Sequence, residues 1–260
     1  MELEEIIKNF KSKILKEAVI GPFCKTCDPA LIECIGHSGF DFAIIDMEHG
    51  PVSVESAQNL IRAAQLTGLL PLVRVKEDTF SLIGSVLDIG AGGVLIPHVN
   101  TIDDLKRIIE NSKFYPEGQR GVCRYVRAAD YSLRSKEEYF KSSNDNLIII
   151  QIEGLEAIKN IDDIINFGGF DILFIGPYDM SQSLGVIGQV NHPIVMEKVN
   201  EVVEKCRTMD IVVGSFADTI EDAKKLIETG IKFMSVSGDL GIFSGACRNI
   251  VESLSIKSKH

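Results

Sequence analysis

Short apolar runs alternate with longer amphipathic segments along most of the chain. The apolar runs have the length of buried strands, and the segments between them place apolar side chains at helical spacing. The apolar runs span residues 18–23, 41–46, 70–75, 92–96, 147–152, 171–175, 211–215 and 232–236. The helical segments span residues 54–67, 80–89, 102–111, 157–167, 193–209 and 220–229, and a further amphipathic helix is predicted at 3–16. The pattern therefore predicts an N-terminal helix followed by eight βα units.

Eight βα units in a chain of 260 residues favour a closed (β/α)8 TIM barrel over an open sheet. The N-terminal helix is expected to cover the bottom of the core. A doubly wound sheet is the alternative, but no G-x-G-x-x-G dinucleotide-binding motif follows the first strand. We predict a single α/β domain over residues 1–260.

Charge and composition exclude several classes of partner. Acidic residues outnumber basic ones by 37 to 27, and the sequence contains no run of lysines and arginines, so nucleic acid is not an expected partner. The charged N-terminus lacks the apolar core of a signal peptide, and no stretch reaches the roughly 18 apolar residues of a membrane span. We therefore expect a cytoplasmic protein with no membrane partner.

One connection is much longer than the others. Residues 113–146 separate the fourth and fifth predicted strands, and only 135–141 have a clear helical pattern. Long connections in compact domains are often functional. This one carries four arginines and four tyrosines. It is predicted either to cap the barrel mouth and contact an anionic substrate, or to serve as a solvated loop or subunit contact.

Acidic residues follow two neighbouring strands, at the face where TIM barrels carry their active sites. Gln151 and Glu153 end the fifth strand, and Asp179 follows the sixth in a turn that begins at Gly176 and Pro177. Carboxylates at adjacent strand ends suit a divalent cation such as magnesium or manganese. The alternative is that both acids cap helix N-termini.

The second and third strands also end on charged groups. The second ends at Asp46, and His49 follows three residues later, close enough for the carboxylate to orient the imidazole as a general base. Arg74 closes the third strand and needs an anion, either a substrate carboxylate or enolate or an acidic neighbour such as Glu48. Gln151 is expected to bind substrate or to satisfy backbone groups.

Three further features are weaker candidates. Cys24 and Cys27 have C-x-x-C spacing, but no second pair or suitably placed histidine follows, so packed thiols are favoured over a redox or zinc site. His98 is expected to be a rim residue that packs under the long connection. Asp88 is expected to be an exposed helix residue.

Six motifs in order resemble the HpcH/HpaI family of metal-dependent (class II) pyruvate aldolases. They are Ile45-Asp46-Met-Glu-His49-Gly-Pro51, Val73-Arg74-Val75, Gly90-Ala-Gly-Gly-Val-Leu-Ile-Pro97-His-Val99, Gly118-Gln-Arg120-Gly121-Val122, Gln151-Ile-Glu153 and Phe174-Ile-Gly-Pro177-Tyr-Asp179-Met-Ser181. The match spans residues 40–185, and the flanking units are consistent with it. The resemblance implies a barrel of the phosphoenolpyruvate/pyruvate-domain type, whose last helix is exchanged between the subunits of a homohexamer.

The resemblance also implies a reaction. Such enzymes use magnesium, manganese or cobalt and no organic cofactor. They cleave a 4-hydroxy-2-oxo acid to pyruvate and an aldehyde, catalyse the reverse addition, and act in aromatic compound catabolism. Cleavage leaves negative charge beside a carbonyl, which a cation and an arginine stabilise. No lysine ends a predicted strand, which argues against a Schiff-base route, and Lys76 is the only lysine to check.

Individual roles follow from the same resemblance. Glu153 and Asp179 would be the metal ligands, and Gln151 would support metal-coordinated water or pyruvate. Arg74 would stabilise the enolate oxygen, while His49 and Asp46 would form the proton-transfer dyad. The backbone N–H groups of Tyr178 and Asp179 would bind the pyruvate carboxylate at a helix start. Asp88 matches a position that faces a neighbouring subunit's site.

The chain departs from better-known members of the family in two places. Position 178 is often small in the family but is Tyr178 here, and Cys123-Arg-Tyr-Val-Arg127 replaces an expected run of small residues. We expect Tyr178, Arg124 and Arg127 to shrink the pocket or to select an acidic aldehyde. The competing interpretations are a citrate-lyase-like enzyme that acts on a coenzyme A thioester and a non-catalytic barrel that senses metal and a keto acid.

Overall fold

The chain forms a closed barrel of eight parallel strands. The structure is a computed structural model that describes residues 2–76 and 79–255. The strands are β1 Val19–Cys24, β2 Phe42–Asp46, β3 Leu70–Arg74, β4 Gly93–Ile96, β5 Leu147–Ile152, β6 Ile172–Ile175, β7 Val212–Ala217 and β8 Phe233–Gly238. They pair in sequence order, and β8 closes on β1. The predicted (β/α)8 barrel is confirmed, and each strand begins and ends within two residues of its predicted bounds.

Helices alternate with the strands around the outside of the barrel. They are α1 Leu3–Ile14, α2 Pro29–His37, α3 Val54–Thr67, α4 Phe80–Asp88, α5 Ile102–Ser112, α6 Lys136–Ser143, α7 Leu155–Lys159, α8 Ile161–Phe167, α9 Pro177–Ser183, α10 Pro193–Arg207, α11 Ile220–Glu228 and α12 Asp239–Leu254. A 3₁₀ helix spans Arg127–Ser132. The segment predicted as one helix at 157–167 is divided into α7 and α8 at Asn160.

Helix α2 was not among the helical segments predicted from periodicity. It has nine residues, the same length as α4 and α11, which were predicted. Its start signals were present, however. Asp28 accepts a hydrogen bond from the Ala30 N–H at 2.9 Å as the N-cap, and Pro29 occupies the first helical position, where its missing N–H costs nothing.

The bottom of the barrel is closed by α1. Its buried face, Ile6, Ile7, Phe10 and Ile14, packs with the apolar interior at the N-terminal ends of the strands. The Phe10 ring contacts the rings of Phe42 and Phe233 edge-on at 6.2 Å between centroids, and those two rings stack at 4.0 Å. The barrel interior is thereby closed at this end by apolar side chains.

The last helix, α12, does not cover the barrel. Asp239 is its only buried residue, and its large apolar side chains are exposed along its whole length: Leu240, Ile242, Phe243, Ile250, Val251 and Leu254. A helix of this amphipathic composition normally buries its apolar stripe. Ile20 of β1 is also 39% exposed.

Two of the expectations from composition can be compared with the structure. Among residues 2–76 and 79–255, no helix combines the length and the apolar character needed to cross a bilayer. The thiols of the C-x-x-C motif are both free: Cys24 is buried, and burial raises its pKa well above the usual value, whereas Cys27 is exposed. The packed-thiol prediction therefore holds for Cys24 and is wrong for Cys27.

Candidate active site

A cavity of about 350 Å³ opens at the carboxyl ends of the strands, and we call it the mouth cavity. It is lined by Phe23, Lys25, His49, Arg74, Gln151, Phe174, Gly176, Pro177, Tyr178, Asp179, Phe216, Ser237 and Gly238. A larger cavity of about 490 Å³ lies beside α1 at the opposite end, and none of the polar strand-end residues lines it. The convergence of those residues, rather than cavity size, identifies the mouth as the candidate active site.

Arg74 holds two acids on the β2 side of the mouth. Its Nε and Nη2 donate hydrogen bonds to the two Asp46 oxygens at 3.0 and 2.8 Å, and its Nη1 lies 3.0 Å from Glu48 Oε2. Asp46 and Arg74 are both buried. Burial acts to raise the pKa of the Asp46 carboxyl, but the Arg74 guanidinium outweighs it and holds that pKa below its usual value. The sequence-based alternative, that Arg74 pairs with Glu48, is present in the structure.

His98 connects this cluster to Glu153 on β5. Its Nδ1 lies 3.0 Å from Glu153 Oε1, and its backbone N–H donates to the same oxygen at 2.9 Å. On the other side, His98 Nε2 lies 3.8 Å from Glu48 Oε1. The backbone of His98 has φ 55°, a left-handed conformation that few non-glycine residues adopt. His98 was predicted to pack under the long connection; it instead contacts a predicted metal ligand.

Glu153 and Gln151 form a buried polar pair at the end of β5. The Gln151 Nε2 donates a short hydrogen bond to Glu153 Oε2. Burial raises the pKa of the Glu153 carboxyl to about 7 against the opposing effects of His98 and Gln151, and the charge of Asp179 adds to the rise. Gly176 leaves room for the pair, because a Cβ there would lie 2.5 Å from Glu153 Oε2 and 2.9 Å from Gln151 Nε2.

These residues fit a divalent cation. Gln151 Oε1 is buried and has no hydrogen-bond partner, and buried polar atoms are normally satisfied. Glu153 and Asp179 are close enough to repel each other, and a cation between them would remove that repulsion. Within the described residues no group of three or more His, Cys, Asp or Glu side chains forms a metal cluster. Two carboxylates with a neighbouring amide oxygen are instead the open, oxygen-rich donor set that suits magnesium or manganese.

His49 lies in the mouth cavity, but its imidazole does not meet Asp46. Asp46 Oδ1 accepts a hydrogen bond from the His49 backbone N–H at 3.2 Å. The side chain is 60% exposed, and its Nε2 lies 3.8 Å from Glu48 Oε2. The predicted His49–Asp46 dyad is therefore wrong in this geometry, because both Asp46 oxygens already accept hydrogen bonds from Arg74. His49 keeps an accessible imidazole that faces the cavity.

Tyr178 forms part of one wall of the mouth. Its hydroxyl donates to Asp218 Oδ2 at 2.6 Å, and its ring lies 6.1 Å from that of Phe216. The hydrogen bond to Asp218 raises the pKa of the Tyr178 hydroxyl to about 12, and partial burial adds to this. Tyr178 thus lines the cavity, and its proposed effect on pocket size or on the choice of aldehyde stays a prediction. Asp218 was not predicted, since only the folded β7 brings it next to the start of α9.

Arg124 and Arg127 lie away from the mouth cavity of their own chain. The Arg127 guanidinium donates to the Ile89 carbonyl and to Gln65 Oε1, both at the N-terminal end of the barrel. The Arg124 guanidinium donates to the Ser132 and Arg134 carbonyls within the long connection. The prediction that these two arginines select the aldehyde is wrong for this chain, as is the prediction that the connection caps the mouth.

Asp88 is held at the C-terminal end of α4. Its Oδ1 lies 2.5 Å from Arg120 Nη2 of the long connection, and the Arg120 guanidinium stacks on the Phe114 ring at 4.6 Å. The acid is partly exposed. The proposed role of Asp88 at a neighbouring subunit's site stays a prediction.

Lys25 is a mouth residue that the strand-end argument missed. It directly follows β1 and lines the mouth cavity, with its Nζ 3.8 Å from Asp46 Oδ2. The first strand was predicted to end at residue 23, and Lys25 was not among the candidate residues. Among the described residues no lysine ends a strand, as predicted. Lys25 nevertheless reaches the mouth cavity from the position directly after β1, whereas Lys76, the lysine singled out instead, does not line that cavity.

Comparison with known proteins places this chain in a family. A family model described as HpcH/HpaI aldolase/citrate lyase matches residues 20–246. The chain belongs to this family. A 5-keto-4-deoxy-D-glucarate aldolase from Enterobacter sp. (strain 638) is 31% identical to it, covering 92% of this chain and 93% of the relative. The predicted family is confirmed, and this chain is an enzyme of the aldehyde-lyase type.

Solved structures of the family have the same fold. An HpcH/HpaI aldolase/citrate lyase family protein from Burkholderia cenocepacia J2315 superimposes with a TM-score of 0.89 at 28% identity, covering 95% of this chain and 98% of that one. The citrate synthase SbnG superimposes with a TM-score of 0.82 at 29% identity, covering 97% and 98%. The proteins to which this chain is similar are therefore named for two kinds of carbon–carbon bond chemistry.

Proposed function

We propose that this family member cleaves 4-hydroxy-2-oxo acids to pyruvate and an aldehyde and catalyses the reverse addition. The observation that carries the proposal is the buried Gln151–Glu153 pair beside Asp179: the Gln151 oxygen is unsatisfied, and Gln151, Asp179 and Arg74 line the same cavity. Two carboxylates that can bind a divalent cation, together with an arginine on the same rim, supply the positive charge that stabilises an enolate.

The reaction needs one proton transfer at each end of the bond that breaks. A base removes the proton of the C4 hydroxyl, the C3–C4 bond breaks as the C4 carbonyl forms, and the electron pair leaves on the pyruvate fragment as its enolate. Protonation at C3 then gives pyruvate. A divalent cation, Mg²⁺, Mn²⁺ or Co²⁺, held by Glu153 and Asp179, would act as the Lewis acid for the 2-oxo group.

Protein residues perform the other tasks. Arg74 is held in place by Asp46 and Glu48 and stacks on Phe23 at 4.6 Å, so its remaining N–H donors are fixed at the cavity wall. The cavity-facing imidazole of His49 is our candidate for the base that removes the hydroxyl proton. Asp46 acts through Arg74, whose orientation it fixes.

The exposed apolar stripe of α12 supports an assembly in which this helix packs on a neighbouring subunit. We propose that subunits exchange α12 within a homohexamer, in line with the sequence-based expectation. Six chains of 28.6 kDa would then sediment together. Changing Phe243 and Val251 to glutamate is expected to dissociate the assembly, because both side chains are exposed in the single chain. A monomeric wild-type protein in analytical ultracentrifugation would contradict this part of the proposal.

The similarity to a citrate synthase supports a second candidate, condensation of an oxo acid with a coenzyme A thioester. The two candidates share enolate chemistry but differ in the compound that forms the enolate. In the aldolase reaction it is pyruvate, which adds to an aldehyde; in the second candidate it is the coenzyme A thioester, which adds to the oxo acid. Formation of a tricarboxylic acid from acetyl coenzyme A and oxaloacetate, without pyruvate release from any 4-hydroxy-2-oxo acid, would favour the second.

Pyruvate release from a panel of 4-hydroxy-2-oxo acids, measured with Mn²⁺ and again with EDTA, tests the proposal. Glu153→Gln is expected to reduce kcat/KM at least about 1,000-fold, since Lewis-acid stabilisation contributes several kcal/mol and each 1.36 kcal/mol is tenfold in rate. The matched control is Glu156→Gln, which changes an exposed acid three residues further along, in α7. Undiminished activity of the Glu153 variant, or of the wild type in EDTA, would exclude the proposed role.

A further inference from the structure

Lys25 is a positive charge in the mouth cavity that the cleavage step does not use. It stands on the rim just after β1, between His49 on the β2 side and Ser237 on the β8 side. Its side chain is 41% exposed. A lysine on an otherwise acidic protein, pointing into the candidate active site, calls for a negatively charged partner.

The backbone of Lys25 is fixed from two sides. The buried Asp239 at the start of α12 accepts hydrogen bonds from the Lys25 N–H at 3.0 Å, the Thr26 N–H at 2.9 Å and the Thr26 hydroxyl at 2.8 Å. On the other side, a Cβ at Gly50 would lie 3.4 Å from the Lys25 Cα. The lysine side chain therefore leaves the barrel wall from a defined point.

The acid nearest to Lys25 is already neutralised. The 3.8 Å from Lys25 Nζ to Asp46 Oδ2 is too long for a hydrogen bond. Asp46 is instead bound by both Nε and Nη2 of Arg74 and by the backbone N–H groups of Glu48 and His49. Among residues 2–76 and 79–255, Lys25 Nζ has no hydrogen-bond acceptor within the protein and no closer ion pair.

The barrel topology places Lys25 opposite the proposed pyruvate site. In the closed order β1 to β8, β1 lies four strands from β5, which carries Gln151 and Glu153. A substrate whose oxo-acid end binds at β5 and β6 must extend its aldehyde-derived end across the mouth. On the β6–β7 side that end meets the Tyr178 ring, backed by the Asp218 carboxylate, and an anion is repelled there. On the β1 side it meets Lys25.

We infer that Lys25 determines substrate specificity by binding a carboxylate on the aldehyde half of the substrate. The inference rests on the proposed aldolase function and narrows it to 4-hydroxy-2-oxo acids with a second acid group at the far end. A carboxylate, with a single negative charge, matches the single charge of Lys25. A phosphate dianion would keep one negative charge that Lys25 does not balance.

Aldol addition of pyruvate to succinic semialdehyde and to butanal tests the inference, because the two aldehydes have the same carbon chain and differ in the carboxylate. Lys25→Met is expected to lower kcat/KM for succinic semialdehyde about 10- to 100-fold, which corresponds to about 1.4–2.8 kcal/mol, with most of the loss in KM. The value for butanal should change less than about threefold, since no charge-assisted contact is lost. Lys25→Arg should keep part of the preference.

A half-reaction separates this inference from the proposed function. Exchange of the pyruvate methyl protons with D₂O in the presence of Mn²⁺ requires enolate formation but no aldehyde. Lys25→Met should exchange at the wild-type rate, which also shows that the variant is folded. The matched control, Lys76→Met, removes an exposed lysine after β3 that lies outside the mouth cavity, and it should leave the preference unchanged. Equal effects on both aldehydes, or none, would overturn the role of Lys25; absence of exchange by the wild type would overturn the proposed function itself.

Discussion

The two ends of the barrel each combine a cavity with an arginine that is buried or partly buried, but the two arginines have different partners. At the N-terminal end, Arg127 binds a backbone carbonyl and a neutral amide, which joins the long connection to α3 and α4. At the mouth, Arg74 binds Asp46 and Glu48, and all three belong to a charged network that continues through His98 to Glu153. Arginine content alone therefore does not locate an active site.

The inside of the barrel also differs between the two ends: it is apolar at the bottom and carries polar groups without a full set of partners at the mouth. The apolar stack of Phe10, Phe42 and Phe233 lies under α1 and seals the bottom. The mouth instead keeps a carboxyl of raised pKa at Glu153 and an unsatisfied oxygen at Gln151. Such groups are costly unless a ligand binds them. Because the raised pKa and the unsatisfied oxygen occur in one pair of neighbouring side chains, this pair indicates where a ligand belongs.

Of the changes that compare the two ends, removal of Arg74 should lower activity and stability most. Arg74→Met is expected to lower kcat about 100- to 1,000-fold, because a fixed donor to the developing enolate is lost. It should also lower the free energy of unfolding by about 3–5 kcal/mol, because Asp46 would be left buried and unpaired. Pyruvate release and urea denaturation measure the two effects.

The control for this change lies at the other end of the barrel. Arg62→Met removes an exposed arginine that lines the N-terminal cavity and donates to Asn59 of its own helix. Activity and unfolding free energy should both stay close to wild type, since exposed pairs contribute about 0–1 kcal/mol. A loss of activity in this variant comparable to that of the Arg74 variant would contradict the assignment of the active site to the mouth rather than to the N-terminal end.

The strand-end argument identified part of the candidate site from sequence because parallel strands bring their carboxyl ends to one rim. Asp46, Arg74, Gln151, Glu153 and Asp179 all lie at the mouth or contact residues that line it. The argument depends on strand bounds, however. A shift in register between Gly21 and Phe23 accompanies the pairing of β1 with β8, and placing the end of β1 one residue early was enough to miss Lys25.

Other contacts depended on tertiary structure that no local pattern encodes. His98 reaches Glu153 only through a left-handed backbone conformation, which its position after Pro97 does not predict. The path of the long connection was misjudged for a related reason. Its arginines were expected at the mouth because an anionic substrate was expected there, but the acceptors that hold Arg127 belong to Gln65 and Ile89, far away in sequence.

Arg127→Met is expected to have the smallest effect, a loss of stability without a change of substrate preference. The Ile89 carbonyl and the Gln65 side chain would lose a partly buried donor, so the free energy of unfolding should fall by about 1–3 kcal/mol. The preference between succinic semialdehyde and butanal should stay unchanged, in contrast to the Lys25 variant, because Arg127 lies at the other end of the barrel. Arg207→Met, at an exposed arginine paired with Glu204 within α10, provides the control for loss of one positive charge. A change in aldehyde preference in the Arg127 variant alone would restore the sequence-based assignment, and it would place the long connection at the mouth of another subunit.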